Sequence, residues 1–178
     1  MAPVFMGGCD RQSGEEAQPQ LSGSGGESPS GVIDRSHAGE PLPEFTLSDS
    51  EGRTRPLADF TGKPLLINLW ATWCAPCVVE LPMLNSLAAE RADELKVLTV
   101  SQDSGQPAKV AAFLKERDLE ALEPWLDPEN DLSFSYGTGI LPTTILYDAR
   151  GREVWRLVGG HDWSSAESAD MLAEGMKP

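Results

Sequence analysis

Cysteine, histidine and positive charge are all scarce in this chain of 178 residues. Three cysteines are too few for a disulfide-stapled scaffold, and two distant histidines do not make a histidine-rich metal site. The 14 basic residues against 28 acidic ones give a formal net charge of -14. This charge argues strongly against nucleic-acid binding, because a phosphate backbone would be repelled. No stretch approaches the roughly 18 apolar residues of a membrane-spanning helix, so the composition predicts an acidic globular domain.

The N-terminal segment has the composition of a flexible tether. Residues 10–31 consist mainly of Gly, Ser, Gln, Glu and Pro, and Leu21 is their one large apolar residue. Such a segment cannot bury enough surface to offset its chain entropy. We therefore predict a lipoprotein-type N-terminus and disordered tether over residues 1–36, followed by one folded domain over residues 37–178.

Cys9 stands in front of this tether, in the sequence Met6-Gly7-Gly8-Cys9. Small residues before a cysteine that precedes a polar linker resemble a bacterial lipoprotein processing site, where the cysteine becomes lipidated. Only eight residues precede Cys9, too few for a charged region plus a full apolar segment. The resemblance implies a lipid anchor at Cys9 as the route to a membrane, and a chance cysteine in a disordered segment is the alternative.

Strand-like and helix-like segments alternate from residue 40 onward. A hairpin is predicted around Asp49–Gly52, and the apolar run 64–71 is typical of a strand buried on both faces. The remaining predicted strands are 95–100, 125–126, 143–147 and 153–158, and the predicted helices are 75–91, 107–117 and a last one from an Asp162 cap to about residue 174. This order predicts an α/β domain with a mixed central sheet, helices on both faces and an N-terminal β-hairpin.

The motif that points to chemistry is Trp73-Cys74-Ala75-Pro76-Cys77, where the buried strand gives way to a helix. Cysteines at i and i+3 in a first helical turn share a face and lie close enough to form a disulfide. Cys74 falls at the helix N-terminus, where free amides and the macrodipole favour a thiolate. The pattern predicts a redox-active Cys74–Cys77 pair.

The sequence fits other functions of the cysteine pair less well than redox chemistry. Half of a zinc site is disfavoured because no second Cys/His pair completes four ligands, and so short a disulfide ring would stabilise the fold little. A copper-delivery or metal-binding protein would use both thiolates as soft ligands, but no His or Met cluster lies nearby in the sequence. A binding module with a vestigial disulfide and a peroxidase are the remaining alternatives.

Residues 40–178 resemble the thioredoxin superfamily, specifically the TlpA/ResA-like envelope thiol-disulfide oxidoreductases with a redoxin domain. The resemblance is seen in NLWATWCAPC, in Glu80-Leu81-Pro82, and in the segment Gly139-Ile140-Leu141-Pro142-Thr143-Thr144. It implies a thioredoxin-like fold, a periplasmic or cell-envelope location, and protein thiols or disulfides as substrates, of the cytochrome c maturation or oxidase copper-site type. It also implies a membrane electron donor and no cofactor beyond the cysteine pair.

The resemblance also implies roles for individual residues. Cys74 attacks a target disulfide and Cys77 resolves the mixed disulfide. Pro142 is the cis-proline of the family, and the backbone of Leu141 then faces an extended substrate peptide. The substrate surface is completed by Trp73, Ala75 and Pro76.

Two departures from the family pattern concern acids. Thioredoxin has a buried Asp where this chain has Asn68, and some ResA-like proteins have Glu between the cysteines where this chain has Ala75. Glu80 is the nearest remaining acid, three residues after Cys77, and we predict proton transfer there, with a solvated surface carboxylate as the alternative. Trp70, Trp125, Trp155 and Trp163 are predicted to pack in the core, and His161 to cap or lie on the surface.

Overall fold

A computed structural model describes residue 1, residues 31–105 and residues 107–177 of the chain. The elements in these ranges are β1 (Val32–Asp34), β2 (Thr46–Ser48), β3 (Thr54–Pro56), a 3-10 helix (Leu57–Phe60), β4 (Leu65–Trp70), α1 (Ala75–Glu90), β5 (Lys96–Ser101), α2 (Pro107–Lys115), β6 (Trp125–Leu126), α3 (Asp131–Tyr136), β7 (Thr143–Tyr147), β8 (Glu153–Val158) and α4 (Ala166–Gly175). The strands form one open sheet in the order β1-β8-β7-β4-β5-β6-β2-β3. No helix in these ranges has the length and apolar character needed to cross a membrane.

Strand β4 lies at the centre of the sheet. It runs parallel to β5 and antiparallel to β7, and all six of its residues are buried. A strand covered on both faces has no side that must be polar, which explains why five of its six residues are apolar, with Asn68 as the exception. The antiparallel partners β7 and β8 make the sheet mixed, as predicted.

Helices cover both faces of the sheet. On one face, Leu66 and Trp70 of β4 pack with buried side chains of α1, α2 and α4. On the other face, Leu65, Ile67 and Leu69 pack with side chains of α3 and of the 3-10 helix. The alternation follows from the two-residue period of a strand, and it confirms the predicted α/β architecture.

The folded domain begins before residue 37, so the predicted boundary is wrong for residues 31–36. Strand β1 pairs antiparallel with β8, with Val32 opposite Val158, and the amide of Gly31 donates to the carbonyl of Gly160 at 2.7 Å. Main-chain pairing at a sheet edge does not require a long apolar run, which is why composition did not reveal β1. Cys9 and residues 10–30 of the predicted tether lie outside the described residues.

Two other elements differ from the prediction. Helix α3 was not predicted, and its first amides, those of Leu132 and Ser133, donate to Oδ2 of Asp127. Helix α4 begins later than expected: Ser165 is its N-cap and accepts from the Ser168 amide at 3.2 Å, whereas Asp162 accepts from Ser164. The N-terminal hairpin is confirmed, with β2 and β3 antiparallel around Asp49–Gly52.

Candidate active site

The two motif cysteines form a disulfide at the junction of β4 and α1. Cys74 is the N-cap of α1, and its Sγ accepts from the backbone amide of Cys77 at 3.4 Å. The Cα atoms of Cys74 and Cys77 are 5.3 Å apart. Pro76 occupies the first helical turn, where its missing N–H leaves no hydrogen bond unmade. The helix N-terminus therefore directs its positive end at the Cys74 sulfur.

The surroundings of the disulfide are asymmetric. Cys74 is 6% exposed and Cys77 is 1% exposed, so Cys74 is the more accessible of the two residues. The neighbouring Trp73 is 69% exposed, and Ala75 and Pro76 are also exposed. The exposed residues of the motif thus carry no charge, and an incoming protein reaches Cys74 more readily than Cys77.

A buried carboxylate fixes the loop between β4 and Cys74. Asp103 follows β5 and is 6% exposed. Its Oδ2 accepts from the Thr72 amide at 2.8 Å and from Ser101 Oγ at 2.8 Å, and its Oδ1 accepts from Thr72 Oγ1 at 2.6 Å. Sequence reasoning missed Asp103. Its position could have indicated a role, because Asp103 comes just after the carboxyl end of β5, which is parallel to β4. Open α/β sheets place their functional sites at that edge.

The loop before β7 reaches the same edge of the sheet. Thr143 pairs with Leu69 of β4, so Pro142 lies at the end of β4 that leads into the motif. The Leu141–Pro142 peptide bond is cis. Thr143 Oγ1 donates to the Ile140 carbonyl at 2.6 Å, and the Ile140 side chain is 54% exposed. The predicted residues Leu141 and Pro142 therefore share an edge with the disulfide.

Glu80 is completely buried, one helical turn after Cys77. Its Oε1 accepts from the backbone amide of His161, and its Oε2 accepts from Asn68 Nδ2 at 3.4 Å. Burial raises the pKa of Glu80 from an ordinary 4.5 to about 7, against the lowering effect of the His161 amide, the Trp163 indole and the Asn68 amide. The indole Nε1 has no hydrogen-bond partner of normal geometry among the described residues. Glu80 is therefore a buried acid that titrates near neutral pH, and its solvated alternative is wrong.

His161 lies beside Glu80, which corrects its predicted capping or surface role. It is 7% exposed, its Nε2 lies 2.7 Å from Ser168 Oγ, and its ring centroid lies 4.9 Å from that of Trp163. Burial lowers the pKa of His161, although Glu167 and Asp162 act in the opposite direction. Sequence reasoning missed this contact because it joins residues 81 positions apart, and no local sequence pattern indicates such a contact. The four tryptophans predicted as core residues, Trp70, Trp125, Trp155 and Trp163, are buried.

Within the described part of the chain, no group of three or more His, Cys, Asp or Glu side chains is placed to hold a metal ion. Among the described residues, the cysteine pair therefore has no His, Asp or Glu neighbours that would complete a metal site. The chemistry available to the site is thiol-disulfide exchange at Cys74 and Cys77.

Comparison with known protein families places most of the folded domain in one family model. The model of the AhpC/TSA family matches residues 38–154, more than half of the chain. This segment runs from just after β1 into β8 and includes the cysteine motif and the Leu141–Pro142 loop.

Comparison with individual proteins finds thiol-disulfide oxidoreductases. Thiol-disulfide oxidoreductase ResA of Geobacillus thermodenitrificans is 33% identical over 141 residues, which cover 79% of this chain and 78% of that protein. The thioredoxin-like protein YneN of Bacillus subtilis is 36% identical over 115 residues, covering 64% of this chain and 66% of that protein. Among solved structures, the exposed lipoprotein thioredoxin Etrx1 of Streptococcus pneumoniae is similar, with 29% identity, a TM-score of 0.64, and coverage of 74% of this chain and 99% of that one.

Proposed function

The chain belongs to the AhpC/TSA family and is a thiol-disulfide oxidoreductase, and we propose that it reduces disulfides of proteins in the cell envelope. The observation that supports this most is the Cys74–Cys77 disulfide, with Cys74 as the N-cap of α1. A helix N-terminus stabilises a thiolate, which is the nucleophile in disulfide exchange. The copper-binding alternative is not favoured, since the relatives are named for thiol-disulfide chemistry.

The reaction proceeds in two exchange steps. In the reduced protein, the Cys74 thiolate attacks one sulfur of the target disulfide, and the other target sulfur leaves as a thiolate. Cys77 then loses its proton and attacks the Cys74 sulfur, which releases the second target thiolate and forms the Cys74–Cys77 disulfide. Two electrons pass from the cysteine pair to the target.

The two thiols differ in how readily they ionise. Cys74 lies at the helix N-terminus, where the dipole and the free amides lower a thiol pKa. Cys77 is buried at 1% exposure, and burial without a positive neighbour raises a thiol pKa. Cys74 is therefore the attacking thiolate and Cys77 the resolving thiol.

Glu80 accepts the proton that Cys77 must lose before it attacks. The two residues are three positions apart on α1, which places them on one face of the helix. A pKa of about 7 lets the Glu80 carboxyl take up and release a proton near neutral pH. Asn68 stands where thioredoxin has a buried acid, so this task falls to Glu80.

The substrate lies across the uncharged surface formed by Trp73, Ala75, Pro76, Leu141 and Pro142. An extended target peptide pairs with the backbone at Leu141 by strand addition, while its disulfide meets Cys74. An acidic domain on a lipid tether at Cys9 would remain close to a membrane electron donor, which returns the Cys74–Cys77 pair to the reduced state. In the native host, Cys9→Ser should release the protein from membranes, and unchanged membrane partitioning would contradict the anchor.

Two assays test this function. Reduction of insulin by dithiothreitol should be accelerated by the wild-type chain and not by Cys74→Ser. In cells, Cys77→Ser should accumulate mixed disulfides with target proteins, whereas Cys74→Ser should trap none. A wild-type chain that leaves insulin reduction at the uncatalysed rate would overturn the proposal.

A further inference from the structure

Asn68 connects Glu80 to the neighbouring strand through a single amide group. It lies in the middle of β4 and is 1% exposed. Its Nδ2 donates to Thr144 Oγ1 on β7 at 2.9 Å and to Glu80 Oε2 at 3.4 Å. Its Oδ1 is buried and has no hydrogen-bond partner among the described residues. A buried acceptor without a partner costs free energy. The Asn68 amide therefore has an acceptor atom, Oδ1, that could bind a donor, and it lies next to an acid that titrates.

The hydrogen bonds around Glu80 favour its ionised form. Oε1 accepts from the His161 amide and Oε2 accepts from Asn68 Nδ2, so both oxygens face donors. When Glu80 binds a proton, one oxygen becomes a donor and then faces another donor. Since the His161 amide is main chain and cannot reverse its polarity, the proton belongs on Oε2, opposite Asn68.

Asn68 and Thr144 can both reverse polarity without moving their backbones. The O and N ends of an Asn amide have nearly the same shape, and a half-turn about the last side-chain bond exchanges them. After that turn, Oδ1 faces both Glu80 Oε2 and Thr144 Oγ1. A hydroxyl donates as readily as it accepts, so Thr144 then donates where it had accepted.

We propose that Asn68 is a positioning residue for Glu80, whose amide turns over when Glu80 binds a proton. In the ionised state, Asn68 Nδ2 donates to Glu80 and to Thr144. In the protonated state, Asn68 Oδ1 accepts from the Glu80 hydroxyl and from the Thr144 hydroxyl. The buried Glu80 carboxyl thereby keeps a hydrogen bond to Asn68 in both protonation states, so it need not move when it binds or releases a proton. The link to Cys77 rests on the proposed function, but the turnover itself does not.

Other titratable groups surround this network. Cys77 precedes Glu80 on α1 and does not titrate while it is in the disulfide. The loop after β8 brings His161 and Asp162, and Glu167 lies in the first turn of α4. His161 contacts Glu80 through its backbone amide, whereas its ring contacts Ser168. A titration of Glu80 is therefore separated from that of His161 by recording the His161 ring signals in parallel.

The experiment is an NMR titration of the oxidised full-length chain between pH 5 and pH 9. The Glu80 side-chain carboxyl carbon reports its ionisation, and the Asn68 side-chain ¹⁵N and NH₂ protons report the amide. The Asn68 signals should shift with the midpoint of Glu80, not with that of His161, and they should stay constant in Glu80→Gln. If the Asn68 side-chain signals do not shift as Glu80 ionises, the proposal is overturned.

Three variants add a second readout in the same titration. Asn68→Leu should raise the Glu80 midpoint by about one pH unit, because the charged form loses its donor. Thr144→Val should change the Asn68 shifts on both sides of the midpoint. Thr99→Val is the matched control. Thr99 is a buried threonine opposite Asn68 on β5, but its hydroxyl donates to the main-chain carbonyl of Glu123, so this variant should leave the pH dependence of both signals unchanged. An unchanged Glu80 midpoint in folded Asn68→Leu would also overturn the proposal, whereas failure of insulin reduction alone would count only against the proposed function.

Discussion

The carboxylate of Glu80 accepts a hydrogen bond from the backbone amide of His161. This bond joins the helix that starts at the cysteine pair to the loop that follows β8. The acid is fully buried, and the bond holds it against the sheet, where Asn68 is its second partner. The position of the proton acceptor thus depends on a contact between distant parts of the chain.

We expect the stability of the oxidised protein to fall between pH 5 and pH 8 because of Glu80. The pKa of Glu80 is raised from 4.5 unfolded to about 7 folded, so its stabilising effect is fully present below pH 4.5 and is lost as the pH rises through 7. The contribution is on the order of 3 kcal/mol. Urea unfolding at pH 5 and pH 8 measures it, and Glu80→Gln should lack this decline.

His161 provides the internal contrast for that measurement. Its pKa is lowered in the folded state, so its contribution is present above the unfolded pKa and is lost as the pH falls through the folded one. That effect runs opposite to the effect of Glu80 and is shared by wild type and Glu80→Gln. Parallel stability curves for the two proteins would show that Glu80 does not titrate as described.

Removal of the Asp103 carboxylate should loosen the loop that leads to Cys74. Asp103→Ala leaves the amide and hydroxyl of Thr72 without their acceptors, and each lost partner costs about 1–3 kcal/mol. With the helix N-terminus less well fixed against Cys74, the pKa of the Cys74 thiol should rise. Urea unfolding and the pH dependence of alkylation report the two effects.

Thr72→Val is the matched control for Asp103. It removes the hydroxyl bond to Asp103 but keeps the amide bond at 2.8 Å, so it should lose less stability than Asp103→Ala. Equal losses of stability in the two variants would mean that the Asp103 carboxylate stabilises the protein only through its hydrogen bond with the Thr72 hydroxyl.

Two truncations should separate β1 from the segment that precedes it. Deletion of residues 1–36 removes β1 and its pairing with β8, whereas deletion of residues 1–30 retains both. The longer deletion removes the Gly31–Gly160 bond as well as the pairing of three β1 residues. At about 1 kcal/mol for each main-chain hydrogen bond lost, it should be less stable by at least about 2 kcal/mol. Equal urea midpoints for the two truncated chains would contradict a stabilising role for β1.

Local patterns predicted the elements that depend on local physics. Strand β4 was predicted because burial on both faces requires mostly apolar residues in sequence. The start of α1 was predicted because the cysteine motif lies within a few adjacent residues. Strand β1 and helix α3 were not predicted, since β1 depends on pairing with β8 and the first turn of α3 on hydrogen bonds to Asp127.

The candidate site divides in the same way. Cys74, Cys77 and Trp73 follow from one short motif, whereas the resemblance was needed for Leu141 and Pro142. The burial of Glu80 and its contact with His161 could not be predicted from spacing, because α1 was predicted without knowing which of its faces meets the loop after β8. Asp103 was missed for the same reason, since its partner Thr72 is 31 residues away.

Timed alkylation of the reduced protein distinguishes Cys74 as the attacking thiolate from Cys77 as the resolving thiol. Iodoacetamide is added over a range of pH, and mass spectrometry assigns the modified cysteine at each time. We predict that Cys74 is modified first, with a rate that rises through a pKa below the roughly 8.5 of a free cysteine. Faster modification of Cys77, or a Cys74 rate that rises only above that pKa, would contradict it.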